Sequence, residues 1–568
     1  MGVTWRTSQV QLAWMGNEAV VTQCHAPVDR RRHVASALGG VPYLILAGAF
    51  LLPITACTIG PNFTAPVAPL AEKFRGSDNG SVKSGPLEYQ SWWEGFRDPT
   101  LNKLIQIAYN QNLTLLSAGT RVLQARAVLG IAIGISYPQV QQAAGSVIYN
   151  QASASTPLAA PNATPSNFWT DAVAGQAAWE LDFWGKFRRG VESADGAYLA
   201  SIASYDNVLV SLMGDVTATY IGIRTTEQLI AIAQANIRRQ EQALSIAKAK
   251  FQGGGASELD VFQAQNVLEQ TRASIPLLTI QLQQGENALC VLLGVPPQSL
   301  GMLLSRSVGR IPSPPRTVVV GIPADLLRRR PDVRAAELAA LAQSAQIGVA
   351  LTQLYPAISI TGTFGGSAST ANGHTLGDVV NWKGVAFAAG PSFQWNLLNY
   401  GQITNNVRLQ DANLQQLLVD YQNTVLSAQQ EVDNGLVTYL QSRSQVAFLR
   451  RSVEAARGAM RIATEQYEQG AVSFTTVLTA EQNLLQAENT LAGALANVPL
   501  GVTAVFRALG GGWQIRVDGN FVTAATVDQM RARTDWGNLL PPTIAPQPPA
   551  PGLPGPQDIG PTIRPPEW

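Results

Sequence analysis

The chain has 568 residues, length enough for several domains, and its 39 basic and 38 acidic side chains leave a net charge of +1. Only 14% of residues are charged while 46% are hydrophobic. A large buried fraction is therefore expected, and nothing in the charge points to a nucleic-acid or strongly acidic partner. Three cysteines, Cys24, Cys57 and Cys290, fit neither zinc nor CxxC spacing.

Residues before about Val28 resemble neither a signal nor a domain, and Met15 is a candidate alternative start. Arg30-Arg31-Arg32 then reads as a basic n-region and Val41 to Leu52 as an apolar h-region, too short for a transmembrane helix. Ile54-Thr55-Ala56-Cys57 follows and resembles a bacterial lipobox. That resemblance implies cleavage before Cys57 and acylation of its thiol. The competing reading is an ordinary signal peptide with a chance cysteine. Thr58 stands where an Asp, by the same resemblance, would favour the inner membrane, so the outer membrane is expected. Cys290 lies in the apolar run Ala288 to Leu292 and is expected to be a buried thiol.

From residue 92 the chain repeats itself. At an offset of 216, Trp184-Gly185 falls on Tyr400-Gly401, Tyr205 on Tyr421, Phe251 on Tyr467, Gly254 on Gly470, Ser257 on Ser473 and Leu293-Gly294 on Leu509-Gly510. Tyr137-Pro138 matches Tyr355-Pro356 at an offset of 218. The expected division is 1–56 extension and signal, 57–91 anchored segment, 92–300 first repeat, 301–320 linker, 321–513 second repeat, and 514–568 C-terminal extension with a proline-rich disordered tail.

Each repeat reads as a helix ending at the Tyr-Pro pair, two strands with a loop between them, a very long helix, a glycine-containing break and another long helix. The strands show period-two alternation. Val173, Ala177, Trp179, Leu181 and Phe183 alternate with Gln176, Ala178, Glu180 and Asp182. Ile358, Ile360 and Phe364 alternate with Ser359, Thr361 and Thr363, and Phe393 and Trp395 with Ser392, Gln394 and Asn396. The loops fall at about 150–168 and 366–384. No proline interrupts Gly185 to Phe251 or Gly401 to Tyr467, so each helix should run on the order of 100 Å. Leu414, Leu418, Tyr421, Val425, Ala428, Val432, Leu436 and Tyr439 form a coiled-coil seam with a stutter. Four strands are too few to close a ring in lipid, and an open edge cannot remain there. Closure therefore requires several copies of the chain. Ser, Thr, Gln and Asn would face water, and Ile, Phe and Trp lipid.

At this point the chain resembles the TolC-like outer-membrane factors, in particular lipid-anchored efflux members of the NodT/OprM type. The carriers are Cys57 to Pro66, Trp92-Trp93-Glu94-Gly95-Phe96-Arg97-Asp98-Pro99, Trp179 to Gly185, Leu326 to Asp332, and Ala508-Leu509-Gly510-Gly511-Gly512-Trp513. The resemblance implies an α+β membrane protein: a homotrimer whose twelve-stranded β-barrel, four strands per chain, continues into a periplasmic α-helical barrel with a mixed α/β equatorial belt. The implied role is the passive exit duct of a tripartite efflux system. It would sit in the cell outer membrane, tethered to lipid and extending into the periplasm. The implied partners are a periplasmic adaptor (membrane fusion protein) and an inner-membrane transporter of the RND class. No cofactor and no catalysis are implied.

The breaks around Gly254 and Ser257, and around Gly470 and Ser473, are expected to be helix tips. Glycine allows the reversal and serine caps the returning helix. By the resemblance, adaptor hairpins dock there, and acids just beyond the tips hold the closed entrance. Asp260 matches one such position, but Thr476 and Thr479 stand at commonly acidic ones. Glu258, Glu465, Glu468 and Glu481 are nearby candidates to replace them. A gate short of carboxylates would be less cation-selective. Arg328, Arg329, Arg330, Asp332, Trp92, Trp93 and Trp513 are read as belt and packing residues.

Two other classes stay in view. An enzyme would need a site, but His25, His33 and His374 are the only histidines and no nucleophile motif accompanies them. A periplasmic, lipid-anchored coiled-coil scaffold would explain the helices but not four amphipathic strands at matched places. Within the duct reading, type I protein secretion is the alternative to efflux.

Overall fold

The computed structural model describes residues 58–540 apart from 76–78, 81, 84–89, 152–166, 316, 321–328 and 517–519. The two-copy organisation is present from Leu113 to Ala508. In the first copy α1 (Pro99–Gln111) and α2 (Leu113–Ile135) lead to strands β1 (Val140–Gln151) and β2 (Asn167–Glu180), then α3 (Lys186–Gln252) and α4 (Glu258–Leu292). In the second, α5 (Pro331–Thr352) leads to β3 (Ala357–Ser369), β4 (Val385–Gln394), α6 (Gln402–Glu468) and α7 (Phe474–Ala508).

One helix was expected before the first Tyr-Pro pair, and two are found. Asn112 causes the break. Its backbone is extended, its Oδ1 accepts from Leu115 N at 2.8 Å, and its Nδ2 donates to Leu292 O at 2.9 Å. A side chain that caps one helix and ties down the end of another outcompetes continuation. Asp98 caps α1 in the same way, with Pro99 at the first helical position.

The four strands form one antiparallel sheet in the order β1-β2-β3-β4. Register places Tyr149 opposite Trp169, Trp179 opposite Ile360, and Phe364 opposite Phe387. One face thus gathers Tyr149, Trp169, Val173, Trp179, Ile360, Phe364, Phe387 and Phe393, all exposed. The other gathers Gln142, Ser146, Gln176, Thr361, Thr363 and Ser392. β1 and β4 are the outer strands of this sheet. The strand expected to reach Phe183 stops at Glu180. Asp182 turns the chain there, because its carboxylate accepts from the Phe187 and Arg188 amides at 3.0 Å and from Arg188 Nε at 2.9 Å. β4 likewise stops before Trp395. The indole Nε1 of Trp179 donates to Ser136 O, and that of Trp395 to Leu354 O, two bonds related by the repeat. They fasten the sheet to the ends of α2 and α5.

α3 and α6 are both 67 residues long, and α4 and α7 both 35. At about 1.5 Å per residue the longer pair runs roughly 100 Å. The expected seam is buried from Val425 through Ala428, Val432, Leu436 and Tyr439, and half-buried at Leu414, Leu418 and Tyr421. α6 and α7 approach so closely that a Cβ on Gly501 would lie 2.7 Å from the Tyr439 amide nitrogen, and one on Gly435 2.9 Å from Val505 N. α2 and α7 are each long and apolar enough to cross a membrane; α7 turns most of that character into the bundle.

The main core lies midway, where Leu101, Leu104 and Ile105 meet Met213, Val216, Tyr220, Leu289, Val502 and Val505. Trp92 and Trp93 are buried, with Trp92 stacked 5.3 Å from Phe506. Trp513 is half-buried against the same core. Cys290 is fully buried, its Sγ 3.5 Å from Gln298 O. Arg330 reaches Ala508 O, the Asp332 carboxylate and Glu431, a structural tie between the start and end of the second repeat. The segment after Trp513 returns along the first repeat. Arg516 pairs with Asp206 at 2.7 Å, Phe521 packs on Tyr205, and α8 (Ala524–Arg533) sets Val527 and Met530 with Leu123. The proline-rich tail from 541 lies outside the described residues.

Candidate functional site at the helix tips

The two tips have the same C-terminal geometry. Gly254 and Gly470 adopt φ of +73° and +77°, a conformation that costs a side-chain-bearing residue energy. Gly255 N bonds Lys250 O and Ala471 N bonds Gln466 O, each at 2.8 Å, the long closing bond of a Schellman motif. The returning helices differ. Ser257 Oγ accepts from the Asp260 amide at 3.4 Å and lies 3.2 Å from its carboxylate, so serine and acid cap α4 together. Ser473 makes no side-chain cap: its Oγ sits 3.5 Å from the Thr476 hydroxyl. The expected pair of serine caps is therefore one cap. Threonine at the third helical position leaves no carboxylate to complete the box. Ser257→Ala should destabilise its tip by about 1 kcal/mol and Ser473→Ala by much less, measured as hydrogen-exchange protection of the two turns.

The tips of both hairpins meet. Ala243, Ala247, Ala264 and Val267 from the first pack with Met460, Ala463, Tyr467, Phe474, Val477 and Leu478 from the second. The Tyr467 and Phe474 rings pack at a tilt with centroids 5.1 Å apart, and Lys250 Nζ lies 4.9 Å from the Tyr467 ring centroid. The Tyr467 hydroxyl has no hydrogen bond of good geometry among the described residues. Burial first, and the nearby Asp260 carboxylate second, push this phenol above its usual value.

Asp260 is half-buried, bonded to Ser257 and close to Tyr467, while Thr476 and Thr479 are exposed. Thr479 Oγ1 donates back to Thr475 O at 2.9 Å. Of the four substitute acids, Glu465 pairs with Arg461 at 2.9 Å. Glu481 is not available to an aqueous entrance at all, being only 4% exposed. Sequence reasoning overlooked Glu488. This buried acid accepts from Arg239 at 2.9 Å, Arg457 at 2.8 Å and Asn236 at 3.2 Å, joining α3, α6 and α7. Its signal was an acid on the buried stripe of an apolar helix. Beside this network a groove of about 630 Å³ is lined by Arg239, Ile246, Met460, Arg461, Glu465 and Glu468.

At the other end of the helices, Cys57 lies outside the described residues, but the chain just after it is fixed. Thr58 packs on Gly185, and Ile59 N donates to Trp184 O at 3.1 Å. Arg189 donates to Ile59 O, Gly60 O and Asn62 Oδ1. The segment is thus held at the base of the sheet, where β2 gives way to α3.

Three comparisons bear on this arrangement. The family model described as outer membrane efflux protein matches residues 104–295 and 322–511, the two repeats. A nodulation protein T of Rhizobium leguminosarum bv. viciae is 30% identical, over 79% of this chain and 90% of its own length. The pyoverdine export outer membrane protein OpmQ of Pseudomonas putida is 30% identical, over 76% of this chain and 90% of its own. Among solved structures, the outer-membrane channel OprN superposes with a TM-score of 0.74 at 30% identity, covering 81% of this chain and all of that one.

Proposed function

The chain belongs to the outer membrane efflux protein family, whose members are outer-membrane channels rather than enzymes, and from that premise we propose that three copies close one duct. The single observation that carries this reading is the sheet. It has four strands, an exposed apolar face, and outer strands β1 and β4 that must find partners if the face meets lipid. Twelve strands from three chains would close it. The repeat suggests how. β2 pairs with β3 across the two repeats, so β4 would pair with β1 of the next copy in the same manner. α5 packs against both α3 and α6. Its counterpart α2 packs against α3 and leaves Val128, Ile131 and Ile135 exposed, a stripe for α6 of the neighbouring copy.

In this assembly 92–300 and 321–513 are the two duct-forming repeats, the helices are the periplasmic barrel, and the core around Tyr220 is the equatorial belt. Cys57, acylated, tethers each subunit beside the barrel base; the fixed position of Thr58 and Ile59 supports this. Gly254, Ser257, Gly470 and Ser473 mark the tips where the hairpins of a periplasmic adaptor dock, linking the duct to an inner-membrane pump of RND type. The cargo is small molecules. OpmQ's name concerns pyoverdine export, which favours efflux over type I protein secretion. The scaffold alternative gives no account of the sheet.

Asp260 with Thr476 and Thr479 gives an entrance with few free carboxylates, hence modest cation preference. Single-channel recording in planar bilayers tests both claims. Stable pores with weak cation selectivity, little changed by Asp260→Asn, are expected. Absence of pores contradicts the duct, and strong selectivity abolished by Asp260→Asn contradicts the gate.

A further inference from the structure

The inward stripe of α7 carries two acids where seam spacing calls for apolar side chains. Val477, Glu481, Leu484 and Glu488 follow at steps of four, three and four, and all are buried. The two acids are held differently. Glu488 receives two guanidinium groups and an amide. Glu481 is buried beside the cluster that joins the two hairpins, and its Oε1 has no hydrogen-bond partner among the described residues.

The charged groups around this level are already engaged. On α3, Arg239 is the one whose field acts on Glu481, and it bonds Glu488 and Asn236. On α6, Arg457 holds Glu488, and Arg461 holds Glu465. Toward the tip, Lys250 lies over Tyr467, and Asp260 of α4 is engaged with Ser257 and Tyr467. A neutral carboxylic acid is tolerated in such a place, whereas its anion demands water or a dedicated cation.

We propose that Glu481 is a proton-operated latch on the periplasmic entrance: neutral, it lets the two hairpins of a protomer pack at their tips, and ionised, it draws in water and loosens them. This rests on the reading of the tips as the entrance. Burial pushes the Glu481 acid up to about 7, with Arg239 offsetting a little of the rise. The sign follows from linkage. Because the packed tip favours the protonated acid, packing is strongest below the ordinary carboxylate range and weakens as pH rises through about 7.

The experiment uses the full-length protein in lipid and reads two signals between about pH 5.5 and 8.5. One is the open fraction in bilayers. The other is hydrogen exchange of peptides covering 243–268 and 463–484, corrected for intrinsic rates. Wild type should open and exchange faster as pH rises, by up to roughly tenfold per unit below about 7, levelling off above it. Glu481→Gln should remain closed and protected across the range, while Glu481→Asp should keep a pH step. Wild-type tip exchange without a pH step, or a step that persists unchanged in Glu481→Gln, overturns the latch. Absence of pores at every pH counts against the channel reading instead, and the exchange data then still decide the latch.

Discussion

Arginine in place of Phe364 is expected to cost about 2–4 kcal/mol in each protomer, and so roughly 6–12 kcal/mol in a trimer. Phe364 is 58% exposed on the apolar face of the sheet, opposite Phe387 at 72%. A cation there would sit in hydrocarbon if the proposed barrel is correct. The neighbouring Thr363→Arg places the same charge on the opposite face, in the proposed lumen. It should leave stability nearly unchanged while shifting ion selectivity toward anions. Urea midpoints of lipid-reconstituted protein, with conductance recorded in parallel, distinguish the two. Equal loss for both substitutions would mean that the apolar face does not meet lipid.

Arg224→Met should destabilise the core around Tyr220 by about 3–5 kcal/mol. Arg224 is fully buried. Its NH1 pairs with Glu227 at 2.8 Å, its NH2 donates to Leu304 O at 2.8 Å and Arg306 O at 2.6 Å, and its Nε donates to the Tyr220 hydroxyl at 3.1 Å. Tyr220 in turn donates to Asp98, the cap of α1, and Glu227 accepts from Gly309 N. Methionine fills similar volume but leaves two carbonyls without their donor and the Glu227 carboxylate without its cation, so the penalty is that of orphaned polar groups rather than of a cavity. The segment 301–309 should also lose protection from exchange. Arg461→Ala removes an ion pair whose partners are 67% and 54% exposed. It should cost under about 1 kcal/mol, and thermal unfolding of the detergent-solubilised protein compares the two.

The elements most legible in the sequence were those stated twice. The offset of 216 carried both long helices and both tips, because a repeat turns weak local signals into paired ones. Strand alternation placed the apolar face of the sheet for the same reason. Elsewhere the outcome depended on partners distant in the chain. Asn112 splits a helix because Leu292 O lies within its reach, and Asp182 ends a strand by capping the helix that follows. Ser473 resembles Ser257 in sequence but lacks an acid three residues on. Glu481 looked like an entrance acid because it lies near the tip. Its burial on the Val477–Leu484 stripe, with Arg239 as the cation whose field reaches it, emerged only in three dimensions. The packing of 520–540 onto α2 and α3 had no repeat counterpart to announce it.

Native mass determination of the purified protein in mild detergent tests the central claim most directly. Three copies per particle, falling to one only when the β signal is lost on heating, is the predicted result. A stable monomer that retains its full sheet content would contradict a barrel shared among chains.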